Sequence, residues 1–214
     1  MKEKELTGIG QASEKALNFV EKIIASPLIE VTGVLTDKVE FWRFKNKVNI
    51  ILKAKEFLKE KGIETPKRIP VKDLFTLLEY SSYEENDFMK DSWGRLLSNS
   101  LDPQNKFDSN NIFIQILNHL SCDEIILLES INKEISTQRA LSFFNKKKII
   151  EEMKGIDPEV QLILLDNLVR LRLIEIKNSD LIIGSGLMSY IYESPYEIYL
   201  ITKLGESLLK KINS

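Results

Sequence analysis

A mainly α fold, with a helical N-terminal region and a winged-helix-like C-terminal region holding a small β-hairpin or three-stranded sheet, is what this sequence predicts. Three observations carry that reading. Apolar residues recur at helical spacing through most of the first hundred positions. A polar stretch holding Pro103, residues 102–111, then interrupts the chain, and beyond it helices give way to short alternating runs before one closing helix. The regions so divided are residues 1–105, α-helical, and 106–214, winged-helix-like. A chain of 214 residues is ample for a buried core, and 43% hydrophobic with 29% charged residues fits a folded protein in water.

The first periodic segment, residues 9–25, places Ala12, Ala16, Phe19 or Val20, and Ile23 on one helix face. Its Gly8-Ile9-Gly10 is not read as a nucleotide loop, because no strand precedes it and the glycine fingerprint is incomplete. Residues 27–35 are apolar apart from Glu30. They read as a short buried helix, or one lying on a partner or membrane surface, since the run is too short to span a bilayer. Residues 37–61 form the longest periodic stretch, with Phe41, Phe44, Val48, Ile51 or Leu52, and Leu58 in register and Gly62 as the stop. Eight lysines and arginines against four acids give it a local charge of +4. Such a helix can contact phosphates, although mixed charge on a long amphipathic helix more commonly marks a solvated face. Pro66 and Pro70 make residues 65–71 an extended linker, and residues 73–80 a short helix beyond it.

Residues 79–103 carry the most sharply punctuated helix. Ser82 and Glu85 have the spacing of a capping box, Glu84, Glu85 and Asp87 put negative charge where the helix dipole favours it, and Asp91 to Arg95 is an i,i+4 pair. Met89, Trp93, Leu96 or Leu97, and Leu101 make the apolar face, and Asp102-Pro103 ends the helix. Gly94 sits in the interior, where glycine costs about 1 kcal/mol relative to alanine, so another helix is expected to approach closely there.

Beyond the break, residues 112–120 read as an apolar helix, Ser121 with Glu124 as a second capping box opening residues 123–135, and residues 142–153 as a helix with a Lys146-Lys147-Lys148 run. Asp157 caps a helix that starts at Pro158 and runs through Leu162, Leu165, Leu168 and Leu171. Residues 173–177, 181–184 and 197–201 are strand-like, a loop holding Gly186 and Pro195 intervenes, and Thr202 opens the last helix, residues 203–212. This order is that of a winged helix. Over residues 157–172, however, Asp157, Glu159 and Asp166 outnumber Arg170 and Arg172, a net charge of −1. A helix entering a DNA groove gains from several cations near phosphates, so a protein-contact role is expected ahead of DNA binding.

Catalytic chemistry needs a constellation, and the inventory is thin. His119, the only histidine, lies three residues from Cys122, a spacing that can put an imidazole beside a thiol but more commonly belongs to a structural helix end. The sequence has no CxxC, HExxH or Walker-type loop, so no catalytic, cofactor-binding or metal residue is expected, and the chain reads as non-enzymatic. The net charge of −2 gives no global attraction to nucleic acid or anionic lipid. One cysteine excludes an internal disulfide and points to a reducing cytoplasm. The charged opening MKEKELTG is unlike a signal peptide, and no transmembrane segment is expected.

Pro27, Glu30 and Gly33, then Arg43 with Asn46, Glu84-Glu85, the Trp93-Gly94-Arg95-Leu96-Leu97 run and the exit from Thr202 to Gly205 together resemble the abortive-infection alpha family of bacterial proteins. The resemblance spans most of the chain. It implies a component of defence against bacteriophage that contacts a protein partner or itself, and it brings no established catalytic residues. The candidate interaction surface is Arg43, Lys47, Trp93, Arg95, Lys146, Lys147 and Lys148. The alternative is a winged-helix nucleic-acid-binding regulator.

Overall fold

The computed structural model describes residues 2–23, 38–105, 110–137, 144–145, 155–178 and 197–213. The expectations for residues 27–35 and 181–184, the loop of Gly186 and Pro195, and the lysines Lys146, Lys147 and Lys148 lie outside them. Among the described residues the protein is mainly helical, with eight helices and a small antiparallel sheet. It divides into two compact units: Met1–His119 with Lys211–Ser214, and Leu120–Lys210 inserted between them.

Unit 1 holds α1 (Lys2–Ile23), α2 (Lys38–Glu60), α3 (Val71–Ser81), α4 (Asp87–Leu101) and α5 (Asn110–Asn118). The Gly8-Ile9-Gly10 triplet is continuous helix within α1, whose Ala16, Phe19, Val20 and Ile23 are buried. Helix α2 ends as expected, with Gly62 in the left-handed region at φ 69°. It is buried along more than one line: Val48, Ile51 and Leu58 on the expected face, and Asn46, Ile50 and Ala54 at i,i+4 spacing beside it. That second line meets α4 at Ala54. A Cβ added to Gly94 would stand 2.9 Å from Lys53 Cβ, 3.2 Å from the Phe57 ring and 3.6 Å from the Ala54 nitrogen, which bears out the close helix approach. The apolar face of α4 is core, with Met89, Trp93, Leu96, Leu97 and Leu101 all buried. Helix α5 follows the proline-bearing connection and packs on α3 and α4, so unit 1 runs on through His119.

The start of α4 differs from the expected capping box. Ser82 is the C-cap of α3, and its hydroxyl donates to Glu79 O at 2.6 Å. The N-cap of α4 is Asn86, whose Oδ1 accepts from the backbone N–H groups of Phe88 (2.9 Å) and Met89 (3.2 Å). Glu84 Oε1 accepts from the N–H groups of Glu85 and Asn86, closing the intervening turn. The Asp91–Arg95 pair also gives way: Asp91 is drawn across to Lys53, at 2.5 Å, and Arg95 lies over the Phe57 ring.

Unit 2 contains α6 (Cys122–Thr137), β1 (Phe144–Asn145), α7 (Pro158–Arg170), β2 (Ile174–Asn178), β3 (Glu197–Ile201) and most of α8 (Lys203–Asn213). The Ser121–Glu124 box forms: Ser121 N–H donates to Glu124 Oε2 at 2.6 Å, and Glu124 N–H to Ser121 Oγ at 3.3 Å. Asp157 caps α7 through the Glu159 N–H, with Pro158 in the first turn. The exit of α7 is a tight left-handed turn. Arg172 takes φ 58°, and Leu173 N–H donates back to Leu168 O at 2.9 Å, a Schellman pattern with arginine where glycine is usual. The sheet order is β1-β3-β2; Ile174 pairs with Ile201 and Asn178 with Glu197 across β2 and β3. Phe144 and Asn145, expected within a helix over residues 142–153, instead form β1 against Tyr199 and Ile198. Pairing with a strand from much later in the chain overrides local helical spacing there, as is common where an aromatic residue can pack on a pleated surface.

Thr202 joins sheet to closing helix. Its N–H donates to Leu173 O (2.9 Å), its hydroxyl donates to Arg172 O (2.7 Å), and its Oγ accepts from Gly205 N–H (3.1 Å). Gly205 is required by space: an added Cβ would sit 2.3 Å from Leu173 O and 2.8 Å from Ile201 Cγ1.

Candidate functional site

Five of the residues singled out in the sequence, Arg43, Asn46, Lys47, Ser82 and Glu84, meet on one seam of unit 1, between α2 and the α3–α4 turn. Arg43 Nη2 and Lys47 Nζ (2.9 Å) both bind the Glu79 carboxylate, and Arg43 Nε also donates to Ser82 Oγ at 3.2 Å. The Arg43 guanidinium lies over the Tyr83 ring, 4.3 Å from its centroid. One turn further along α2, buried Asn46 donates from Nδ2 to Ser82 O (3.0 Å) and Glu84 O (2.9 Å). Two cations on one carboxylate hold Glu79 below the usual carboxylate range. The Lys47 hydrogen bond is the largest cause, and partial burial opposes it.

The basic surplus of α2 is therefore divided. Arg43, Lys47 and Lys53 are engaged with acids of α3 and α4, whereas Lys45, Lys55 and Lys59 are exposed. Trp93 is only 2% exposed and belongs to the core. Arg95 stacks on Phe57 at 4.1 Å. Nearby Lys61 donates to Asn99 Oδ1 at 2.8 Å; burial lowers its pKa, Asp102 counters that effect, and Arg95 adds to it. This arrangement fixes helices. His119 belongs to unit 1 and Cys122 to unit 2, and no group of three or more metal-ligating side chains occurs among the described residues.

Unit 2 presents a different surface on α7. Leu165, Leu168 and Gln161 face inward, as the leucine spacing requires. The opposite side carries Glu159, Val160, Ile163, Asp166 and Arg170, all exposed, with Ile163 at 66% and Val160 at 44%. Arg170 is steered by its own helix: Nε (2.9 Å) and Nη2 (2.7 Å) both donate to Asn167 Oδ1, while Asn167 Nδ2 donates to Glu124. The leucine stripe marks only the inner side of α7 and leaves this face unmarked. Val160 and Ile163 fall off that stripe, and two branched apolar residues displaced from it were the available signal. Beside the end of α7, a shallow groove of about 410 Å3 is lined by Val169, Arg172, Ile174, Glu175, Ile176 and Thr202. It brings one cation and one acid together without converging donors.

A family model described as abortive infection alpha matches residues 42–211, most of the chain and parts of both units. The chain belongs to the abortive infection alpha family. No curated protein and no solved structure matches it. In this abortive infection alpha protein the matched span includes the Arg43–Glu79 seam, the Trp93 helix and the whole of α7. Family membership supports a role related to antiphage defence. No helix among the described residues is long and apolar enough to cross a membrane.

Proposed function

We propose that this abortive infection alpha protein is a cytoplasmic, non-enzymatic component of antiphage defence that works by protein–protein contact, and that the outward face of α7 makes that contact. One observation carries the reading: Ile163 stands exposed near the middle of a helix whose inner side is already packed, with Val160 exposed beside it towards the helix start. Burying an aliphatic side chain of this kind stabilises a complex by about 1.5–3 kcal/mol before the costs of association, so such residues make natural anchors. The charge around them suits a protein better than a nucleic acid. Asp157, Glu159 and Asp166 outnumber Arg170 and Arg172, and Arg170 already spends two of its donors on Asn167.

The test is plaque formation and culture survival for a panel of phages on bacteria expressing the wild type or Ile163→Asp, at low and high infection ratios. Wild type is expected to protect at the low ratio and the culture to collapse at the high one. Ile163→Asp, an exposed substitution that leaves melting within about 0.5 kcal/mol of wild type, is expected to abolish protection. Full protection by Ile163→Asp would remove α7 from the mechanism. Tight, salt-sensitive retention of duplex DNA in a gel shift would replace the reading with that of a winged-helix nucleic-acid regulator.

A further inference from the structure

The partner for α7 is written in the order of its charges. Glu159, Ile163, Asp166 and Arg170 are spaced four, three and four residues apart, and at about 100° per residue they fall within about 60° of one another on the helix surface. All four are exposed. The acid stands at the N-terminal end of the stripe and the cation at the C-terminal end, about 16 Å away at 1.5 Å per residue. Such a stripe is complementary to itself when reversed. Laid antiparallel about a two-fold axis midway between Glu159 and Arg170, two copies bring each Glu159 against the other's Arg170, twice over. The two Ile163 side chains approach across the axis on one flank of the arc. Asp166 lies as near the axis as Ile163 but on the opposite flank of the arc, so the two Asp166 carboxylates also approach each other, a like-charge contact that opposes the dimer.

We infer that α7 is a self-association surface: a second copy of this chain docks antiparallel on it, with an Ile163–Ile163 contact flanked by two Glu159–Arg170 pairs. The inference rests on the proposed protein-contact role of this face and names its partner. A closed two-fold contact uses the same patch on both copies, which the reversed charge order satisfies and a same-sign face would not. Arg170 is suited to it because its guanidinium has five N–H groups and Asn167 takes two, holding the plane in place for a carboxylate. One helix face is smaller than a standard interface, so the dimer is weak, forming at micromolar concentrations and above.

The experiment is sedimentation velocity on the full-length chain across a concentration series, with Glu159→Arg, Arg170→Glu and their equimolar mixture. Wild type is expected to shift from monomer towards dimer as concentration rises. Each single variant sets like charges against each other twice and is expected to associate at least about tenfold more weakly. The mixture is decisive, since pairing a Glu159→Arg copy with an Arg170→Glu copy restores both opposite-charge contacts and is expected to recover dimer as a heterodimer. Because the same two proteins are simply combined, misfolding of either cannot produce recovery. A wild type that stays monomeric at the highest concentration, single variants that dimerise like wild type, or a mixture that fails to recover would each overturn the inference. Loss of phage protection by Ile163→Asp alongside a strictly monomeric wild type would leave the protein-contact role standing and assign the face to another protein.

Discussion

Glycine marks two places where single atoms decide the packing, and each sets an expectation. At Gly94 the neighbours are Lys53 Cβ and the Phe57 ring, both held by a helix backbone that cannot retreat without moving α2. Gly94→Leu is expected to destabilise unit 1 by about 2–3 kcal/mol through overpacking, outweighing its gain in helix propensity of about 1 kcal/mol. Tryptophan fluorescence during thermal melting checks this, because Trp42 and Trp93, the only two tryptophans, both lie in unit 1. Gly205→Ala meets a harder obstacle, the Leu173 carbonyl at 2.3 Å. It is expected to cost unit 2 about 1–3 kcal/mol, read as a fall in melting temperature by circular dichroism with the tryptophan transition unmoved. Of these two glycines, only Gly94 was legible in the sequence, because an interior helical glycine next to Trp93 has no local reason to exist. Gly205 stands in the first turn of a short terminal helix, where glycine is unremarkable until the carbonyl in front of it is known.

At the scale of elements, caps were legible where the atoms they need stay available and illegible where another group claims them. Asn167 takes the Oε1 of Glu124 and leaves Oε2 and the Ser121 hydroxyl for the reciprocal bonds, so the box forms. Ser82 offers the same spacing to Glu85, but its hydroxyl is taken by Glu79 O and by Arg43 from α2, so capping passes to Asn86. Asn86→Ala is therefore expected to lower unit 1 stability by about 1 kcal/mol, whereas Glu85→Ala stays within about 0.5 kcal/mol, as urea titrations of the two would show. The Glu79 node also sets a pH dependence. Its folded pKa lies below the ordinary 4.5, so its contribution is complete above that value and fades as pH falls through the folded pKa. Asp73, whose carboxyl is raised chiefly by burial, acts in the opposite sense. Stability of unit 1 measured from pH 6 down to pH 3 is expected to fall less steeply in Glu79→Gln than in wild type. The same competition explains the candidate surface: Arg43 and Lys47 read as part of a basic helix face and Arg95 as part of the Trp93 helix, and Glu79 and Phe57, tens of residues away, are what engage them.

For the whole molecule, the helical character and the order of helices before strands were legible from periodicity, and β1 was not, since a two-residue strand has no period. The family match begins at residue 42, yet the folded unit begins earlier. Helix α1 buries Phe19, Val20 and Ile23, and Ile69 N–H donates to Ile23 O at 3.0 Å. A fragment spanning residues 42–211 is thus expected to lose several kcal/mol relative to the full chain and to melt earlier by tryptophan fluorescence. Unit 1 also takes back the chain after unit 2: Asn99 Nδ2 donates to Lys211 O at 2.6 Å, Ile212 is buried, and the Lys211 ammonium lies 5.2 Å from the centre of the Phe113 ring. That return has a consequence for synthesis. A ribosome that has just released residue 119 has made α1 through α5, which still lack the Lys211 carbonyl and the Ile212 side chain, and it must translate all of unit 2 before supplying them. A nascent chain broken off within the insert leaves unit 1 without the Lys211 carbonyl on Asn99 and without the buried Ile212 side chain.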